Sequence, residues 1–335
     1  MENNICVLIM AGGERLIDSE RSLIRMTVDR VLDIVSGDRI FVGTNALQAM
    51  GVLEELPMLS EENIIIEPAF RDTAAAIGFG SLVINNRFKD SNLIVLASDH
   101  LIKDEENFRE VLLKAVGIAS KGDSIITLGI KPNRAETGYG YLETDSCQVG
   151  KESRVIRFCE KPNADLAKQY VDSGRFLWNS GMFVFNINTI FSAFKDLMPN
   201  HYRVLNEIKS LGSEIRNPEN EVLMKWFMEF EKVSIDYGIM EKYHNTMVIP
   251  TDFSWNDIGS FPALEDVFEG DKNSNIIINT NLSQYDSKNN IIISTGKKNI
   301  SLVGIEDMIV VETETDILIC AKSSAQDIKK VIGGS

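Results

Sequence analysis

The first part of the chain alternates short β-rich apolar runs with stretches of helical spacing, and no other feature limits the possible folds as much. Ile5–Met10, Arg39–Val42, Asn63–Ile66, Leu93–Ala97 and Ser124–Ile130 read as strands. Between them, Ser22–Val35, Asn45–Leu53, Thr73–Asn86 and Glu105–Ser120 place apolar residues at helical intervals. Such alternation predicts a mostly parallel sheet with helices on both faces, and strands apolar throughout fit a sheet covered on both sides. The first strand runs into Ala11-Gly12-Gly13-Glu14-Arg15. Paired glycines let backbone N–H groups approach an anion, Arg15 can neutralise it, and an open α/β sheet binds its ligands at this edge.

Beyond Ile130 the rhythm changes. Tyr141–Glu143 and Arg154–Glu160 read as further strands of a mixed sheet, Asp165–Ser173 as a helix and Met182–Asn186 as a strand. Asn188–Leu197 and Glu219–Phe230 are amphipathic, and their aromatic residues, Trp226 and Phe230 among them, read as core. From Asn275 onward, apolar triplets (Ile276–Ile278, Ile291–Ile293, Ser301–Val303, Met308–Val311, Ile317–Cys320) alternate with Asn, Asp and Gly, as in a few coils of a β-helix. Ser324–Ile332 reads as a closing helix. A chain of 335 residues exceeds the size at which one core stops growing, so two domains are expected, 1–260 and 261–335.

The chain carries 49 acidic against 34 basic residues, net −15, which argues against nucleic-acid or anionic-membrane partners. A phosphate ligand must then be met by local cations, backbone amides or a divalent metal. Cys6, Cys147, Cys159 and Cys320 have no framework spacing and read as reduced thiols. With no apolar run long enough to span a bilayer and no basic N-terminal leader pattern, a cytoplasmic protein is expected.

Several residues can carry chemistry. Asp99 follows a strand at the edge where such sheets catalyse, and suits a hard divalent cation or a helix cap. Asp257, in Trp255-Asn256-Asp257-Ile258-Gly259, is a second carboxylate of the kind a nucleotide-bound Mg²⁺ needs. Lys161, in Glu160-Lys161-Pro162, either clamps a phosphate or is solvated. Gly138-Tyr139-Gly140 is either a hairpin or a turn offering amides to a polar ligand. Asn179 can hydrogen-bond vicinal hydroxyls or cap its own backbone. Glu67–Ala74 leaves a strand and opens a helix, with Asp72 or Thr73 as N-cap and a preceding loop able to read a base.

As a set, L-x-x-A-G-G at Leu8, E-P at Glu67, R-D-T-A-A-A at Arg71, S-D-H at Ser98 and E-T-G-Y-G-Y at Glu136 resemble the bacterial mannose-1-phosphate guanylyltransferases. So do E-K-P at Glu160, G-R-F-L-W-N-S-G-M-F at Gly174, S-I-D-Y-G-I-M-E-K at Ser234 and W-N-D-I-G-S at Trp255. The resemblance implies a nucleotide-diphospho-sugar transferase fold with a short left-handed β-helix at its C-terminal end. It also implies GTP and mannose-1-phosphate as substrates, Mg²⁺ as cofactor and a homodimer. By residue, it implies Asp99 and Asp257 as metal ligands and Lys161 as the cation on the sugar phosphate. Gly138, Tyr139, Glu160 and Asn179 would hold the sugar. Ala11, Gly12, Gly13 and Arg15 would form the triphosphate loop, and Glu67, Arg71, Asp72 and Thr73 the guanine-side wall.

One departure stands out. The family loop runs G-G-x-G-x-R-[FL]-W-P-L-S and then P-K-Q-F, which brings a lysine to the phosphates. Here Gly13 is followed directly by Glu14-Arg15-Leu16-Ile17, without either piece. The competing expectations are another sugar-1-phosphate nucleotidyltransferase, or a nucleotide-sugar-binding protein without catalysis if the shortened loop disables turnover.

Overall fold

The computed structural model describes residues 4–11, 22–258, 261–266, 268–294, 298–328 and 331. They fall into two compact units. One holds residues 4–11, 24–98 and 102–254; the other holds 22–23, 99–101 and the described residues from 255 onward.

The first unit is an α/β fold. Its elements are β1 (Ile5–Met10), α1 (Leu23–Val31), β2 (Ile40–Asn45), α2 (Ala49–Glu55), β3 (Ile64–Glu67), α3 (Asp72–Arg87) and β4 (Asn92–Ala97). After β5 (Leu101–Ile102), whose Leu101 belongs to the second unit, come α4 (Glu105–Ala119), β6 (Ile125–Ile130), β7 (Tyr141–Thr144), β8 (Ser153–Cys159), α5 (Ala164–Ser173) and β9 (Phe176–Asn186). The unit ends with α6 (Ile187–Leu197), α7 (Pro199–Lys209), α8 (Glu221–Met228) and β10 (Thr246–Thr251).

The nine-stranded sheet has the order β3-β2-β1-β4-β9-β6-β10-β8-β7. β1 pairs in parallel with β2 and β4, β2 with β3, and β6 with β10. β9 is antiparallel to β4, β6 and β7, and β8 to β10 and β7, so only β8 and β9 oppose the common direction. The chain passes outward through β2 and β3 on one side of β1 and returns to β4 on the other. That reversal opens a crevice at the carboxyl ends of β1 and β4.

Helix α3 is buried over every residue from Ala74 to Ile84, as a helix apolar on all sides must be. Two glycines make room for this: a Cβ at Gly80 would lie 2.6 Å from Leu8 of β1, and one at Gly78 3.1 Å from Phe194 of α6.

In several places the elements differ from those expected of the sequence. Trp178–Gly181 does not precede a strand; it lies inside β9. The register of β6 against β9 slips between Thr127 and Gly129, and Gly181 takes φ 70°, so β9 bulges there. Helix α7, unassigned in the sequence reading, starts on Pro199 and buries Val204, Leu205 and Ile208. The closing helix is a 3₁₀ helix over Lys322–Ile328, and most of the rest of its expected range lies outside the described residues.

The second unit contains β11 (Trp255–Asn256), β12 (Ile276–Ile278), β13 (Asn281–Tyr285), β14 (Ile291–Ser294), β15 (Asn299–Val303), β16 (Met308–Glu312) and β17 (Ile317–Ala321). β12, β14 and β16 stack in parallel, β13 and β15 form a second parallel ladder, and β17 closes the first ladder antiparallel. Ile291 and Ile293 face one small core with Leu264, while Ile292 faces another with Leu302 and Val310. This is why the triplets are apolar on both faces. β13 went unassigned because its Asn-Leu-Ser-Gln-Tyr pattern is mostly polar, with every second residue exposed.

The coils are held in step by buried asparagines. Asn290 donates from both its backbone N–H and Nδ2 to Oδ1 of Asn275, each at 2.9 Å, and its own Oδ1 accepts from the Met308 N–H at 2.9 Å. At Ser274, Asn289 and Asp307, one residue before each of these repeats, the backbone takes φ of 60°, 54° and 56°.

Candidate active site

At the crevice, the Ala11 N–H donates to Gly43 O at 2.9 Å and the Ser98 N–H to Met10 O at 3.1 Å, which fixes the end of β1 between its neighbours. A pocket of 570 Å³ opens beside it, at the carboxyl ends of β1, β2 and β3, lined by Ala11, Gly43, Leu47, Glu67, Phe70, Asp72 and Thr73 among others. No described lining residue is cationic. Leu47 and Phe70 are largely exposed, as apolar plates at a pocket mouth would be.

Glu67 ends β3 half-buried in this wall. Among the described residues its carboxylate makes no hydrogen bond or ion pair, and burial alone pushes its pKa up to about 7. Asp72 and Thr73 open α3, with Asp72 at φ 66° and its Oδ1 accepting from the Thr73 N–H at 2.7 Å. Neither is the N-cap, since that position falls to Arg71, which caps with no side chain. The Arg71 Nη2 donates to Met228 O at the end of α8, at 2.9 Å, and Arg71 is not among the pocket's lining residues. Thr73 Oγ1 accepts from the Ile235 N–H at 2.9 Å, and the Ala74 N–H donates to Val233 O at 3.2 Å. The start of α3 is thereby tied to the segment 233–235. Gly12, Gly13 and Arg15 lie outside the described residues.

A second cluster of the same unit surrounds the turn before β7. Gly140 O accepts from the Asn179 N–H at 2.8 Å, and a Cβ at Gly140 would meet Glu160 Oε2 at 2.6 Å, so both groups lie against this glycine. The β9 bulge re-aims Asn179, whose Oδ1 accepts from Thr127 Oγ1 at 3.0 Å while its Nδ2 donates to Asp236 at 3.1 Å. Lys161 Nζ stands 3.3 Å from Glu160, with the lysine side chain 63% exposed and φ 43°. Glu136 Oε1 accepts from the exposed Gly138 N–H at 3.0 Å. The Tyr139 ring meets Trp178 edge to face, with centroids 5.1 Å apart.

Asp236 was assigned no role by sequence reading. It opens a one-turn π-helix, Asp236–Met240, of the kind that marks functional sites. Burial, then the charge of Glu160, raises its pKa to about 6, against the opposing pull of Asn179 and Lys161. The signal in the sequence was the quoted S-I-D-Y-G-I-M-E-K run, which gives an aspartate amid apolar neighbours.

The third group belongs to the second unit. Asp99, half-buried, precedes β5, and Asp257, half-buried, follows β11; these two short strands pair. Burial raises the pKa of Asp99, and the charge of Asp257 raises it further. A bound cation would offset that like-charge repulsion. Trp255 Nε1 donates to His100 Nδ1 at 3.3 Å, which helps fix the loop on each side. No group of three or more His, Cys, Asp or Glu among the described residues is arranged to hold a metal. Two carboxylates still fit Mg²⁺, which takes one or two and completes its shell with water and substrate phosphates.

The profile of the nucleotidyl transferase family matches residues 9–274, and that of a mannose-phosphate isomerase/GMP-like β-helix domain matches 281–334. Over 324 residues the chain is 33% identical to a mannose-1-phosphate guanylyltransferase of Salmonella muenchen, covering 94% of this chain and 67% of that one. It is 34% identical to mannose-1-phosphate guanylyltransferase 2 of Escherichia coli O157:H7, covering 98% and 73%. A crystal structure from Thermus thermophilus, described as a mannose-1-phosphate geranyltransferase, superposes with a TM-score of 0.86 at 27% identity over 98% of both chains. No helix among the described residues is long and apolar enough to cross a membrane.

Proposed function

The chain belongs to the nucleotidyl transferase family, among its bacterial mannose-1-phosphate guanylyltransferases, and from that premise we propose that it transfers GMP from GTP to mannose-1-phosphate. A phosphate oxygen of the sugar phosphate bonds to the α-phosphorus of GTP, the bond to the β-phosphate breaks, and GDP-mannose and pyrophosphate result. The nucleophile is already anionic, so no general base or covalent intermediate is required, and catalysis reduces to positioning and charge neutralisation.

The observation that carries this reading is the pocket at the carboxyl edge of β1–β3, with no cation among its described lining residues and with the Glu67 carboxylate in its wall unpartnered among the described residues. Guanine presents N1–H and the N2 amino group side by side, two donors that one carboxylate accepts together. Adenine has no such pair. Ionising Glu67 is costly in the empty pocket, and those donors offset the cost. Asp72 and Thr73 complete this wall, with Arg71 holding its backbone through α8. Ala11, Gly12, Gly13 and Arg15 are assigned to the triphosphate.

At the other subsite, Gly138, Tyr139, Glu160 and Asn179 take the sugar hydroxyls, and the exposed ammonium of Lys161 meets the sugar phosphate. Asp99 and Asp257 are the residues that would hold Mg²⁺, which when bound supplies charge neutralisation at the phosphates and the departing pyrophosphate.

Pyrophosphate release from GTP, mannose-1-phosphate and Mg²⁺ tests the proposal, run against a panel of other nucleoside triphosphates and hexose-1-phosphates. Turnover is expected with GTP and mannose-1-phosphate above every other pair. Preference for another base or sugar overturns the substrate assignment. Calorimetric binding of GDP-mannose with no turnover under any condition overturns the catalytic one, and would trace to the lysine that the shortened loop lacks.

A further inference from the structure

Asn179 is the polar residue that the β9 bulge presents to the sugar subsite, and its carboxamide has two faces. One end accepts and the other donates, so its orientation decides what pattern a bound hydroxyl pair meets. Its backbone is pinned to Gly140 O at 2.8 Å, so only the amide's sense remains to be set. Thr127 cannot set it. A hydroxyl both donates and accepts, and Thr127 Oγ1, buried at 3.0 Å, would satisfy either end. Asp236, 3.1 Å from Nδ2, is different, because an ionised carboxylate only accepts.

We propose that Asp236 is a positioning residue for the sugar: its carboxylate holds the Asn179 carboxamide with Nδ2 inward and so fixes the donor and acceptor that the substrate meets. This rests on the reading of Asn179 as a sugar contact. With Nδ2 spending one N–H on Asp236 and Oδ1 one lone pair on Thr127, Asn179 keeps one N–H and one lone pair for the ligand. Glu160, whose carboxylate also lies against Gly140, accepts. A sugar hydroxyl that gives its proton to Glu160 has lone pairs left for the Asn179 N–H, and a flipped amide would face it with oxygen instead. Asp236 itself is anchored, since the preceding Ile235 N–H is bound to Thr73 Oγ1 at 2.9 Å. The groups bearing on its charge are Glu160 and Lys161. Its pKa of about 6 leaves it ionised at neutral pH.

The isosteric change Asp236→Asn keeps the shape and removes the acceptor-only character, so both amide orientations become satisfiable. The test measures KM for each substrate and kcat in the full-length wild type, Asp236→Asn, Asn179→Ala and the double variant. The expectation for Asp236→Asn is a KM for mannose-1-phosphate raised about tenfold, the equivalent of one hydrogen bond, with KM for GTP changed less than about twofold. In the Asn179→Ala background the second change adds nothing, because Asp236 acts through Asn179. An unchanged sugar-phosphate KM in Asp236→Asn, beside a raised one in Asn179→Ala, defeats the proposal; so do additive effects in the double variant. An unchanged KM in Asn179→Ala instead removes the sugar-contact reading, and this inference with it. Should Asp236→Asn fail to fold, Asn179→Asp sets two carboxylates face to face and is expected to raise that KM beyond Asn179→Ala. Equal values for those two variants overturn the proposal.

Discussion

Lys161 holds a left-handed backbone at φ 43°, a conformation costing about 1 kcal/mol or more for a residue with a side chain. Asp72 (φ 66°) and Ile258 (φ 47°), beside Asp257, share it, so each of the three candidate clusters contains or adjoins one such residue. At Lys161 the strain brings the ammonium beside Glu160. Lys161→Ala is expected to lower turnover about 10²–10³-fold, as for other preorganised charge stabilisers; unchanged steady-state kinetics would remove it from the phosphate. Glu67 gives a different forecast. Its folded pKa, about 7, lies above the ordinary 4.5 of the unfolded chain, so its contribution to stability is intact at low pH and lost as pH rises through 7. Above that pH the buried charge costs up to about 3 kcal/mol. Urea unfolding of Glu67→Gln should therefore show an advantage over wild type that grows as pH rises from 4.5 to about 7 and levels off above it, and a pH-independent difference would contradict the assignment. The same variant should erase a preference for GTP over ITP of about tenfold, because a single amide oxygen cannot pair with both guanine donors.

Among the elements, the packing of α1 against α4 carries an avoidable cost. Arg30 is 1% exposed, its Nε and Nη2 find no hydrogen-bond partner among the described residues, and its nearest carboxylate, Glu105, is 3.8 Å away. Burial pulls its pKa down to about 10. Its guanidinium carbon lies over the Phe108 ring, 5.5 Å from the ring centre. Arg30→Met is expected to be neutral or stabilising by about 1–4 kcal/mol in thermal unfolding; a loss of stability would reveal a partner for the guanidinium. Elements were legible in the sequence where one periodicity ran unbroken: β1 was read to the residue, and α4 within one residue at its end. Legibility failed where tertiary contacts override local pattern. Nothing local says that Trp178–Gly181 is a bulge rather than a turn, because the slip is defined by β6. The hydrogen-bond partner of Arg71, the carbonyl at the end of α8, lies 157 positions away, and no local pattern points to it. Asp236 matters through Asn179, 57 positions back, a pairing that only the fold creates.

For the molecule as a whole, the second unit depends on polar order as much as on its apolar layers. Asn275 and Asn290 are fully buried, and each satisfies the backbone of the coil that follows it. Asn290→Ala strands the Met308 N–H, whereas Ile305 O keeps the Lys288 N–H and Asn275 Oδ1 keeps the backbone N–H of residue 290. The expected loss is about 1–3 kcal/mol, the cost of one buried unpaired group. Denaturant unfolding followed by hydrogen exchange of the Met308 amide would measure it, and retained protection there would contradict the ladder.

Residues 99–101 group with the C-terminal portion although first-unit chain flanks them on both sides. The pair Asp99 and Asp257 therefore comes from stretches on opposite sides of any break made between them. Shortening the polypeptide after Ser254 would delete one carboxylate outright and leave the other without its counterpart. With Mg²⁺ held by this pair as proposed, a version of this enzyme divided into two pieces is expected to regain its chemistry only by reassembly, and turnover by either piece alone would remove the pair from the metal.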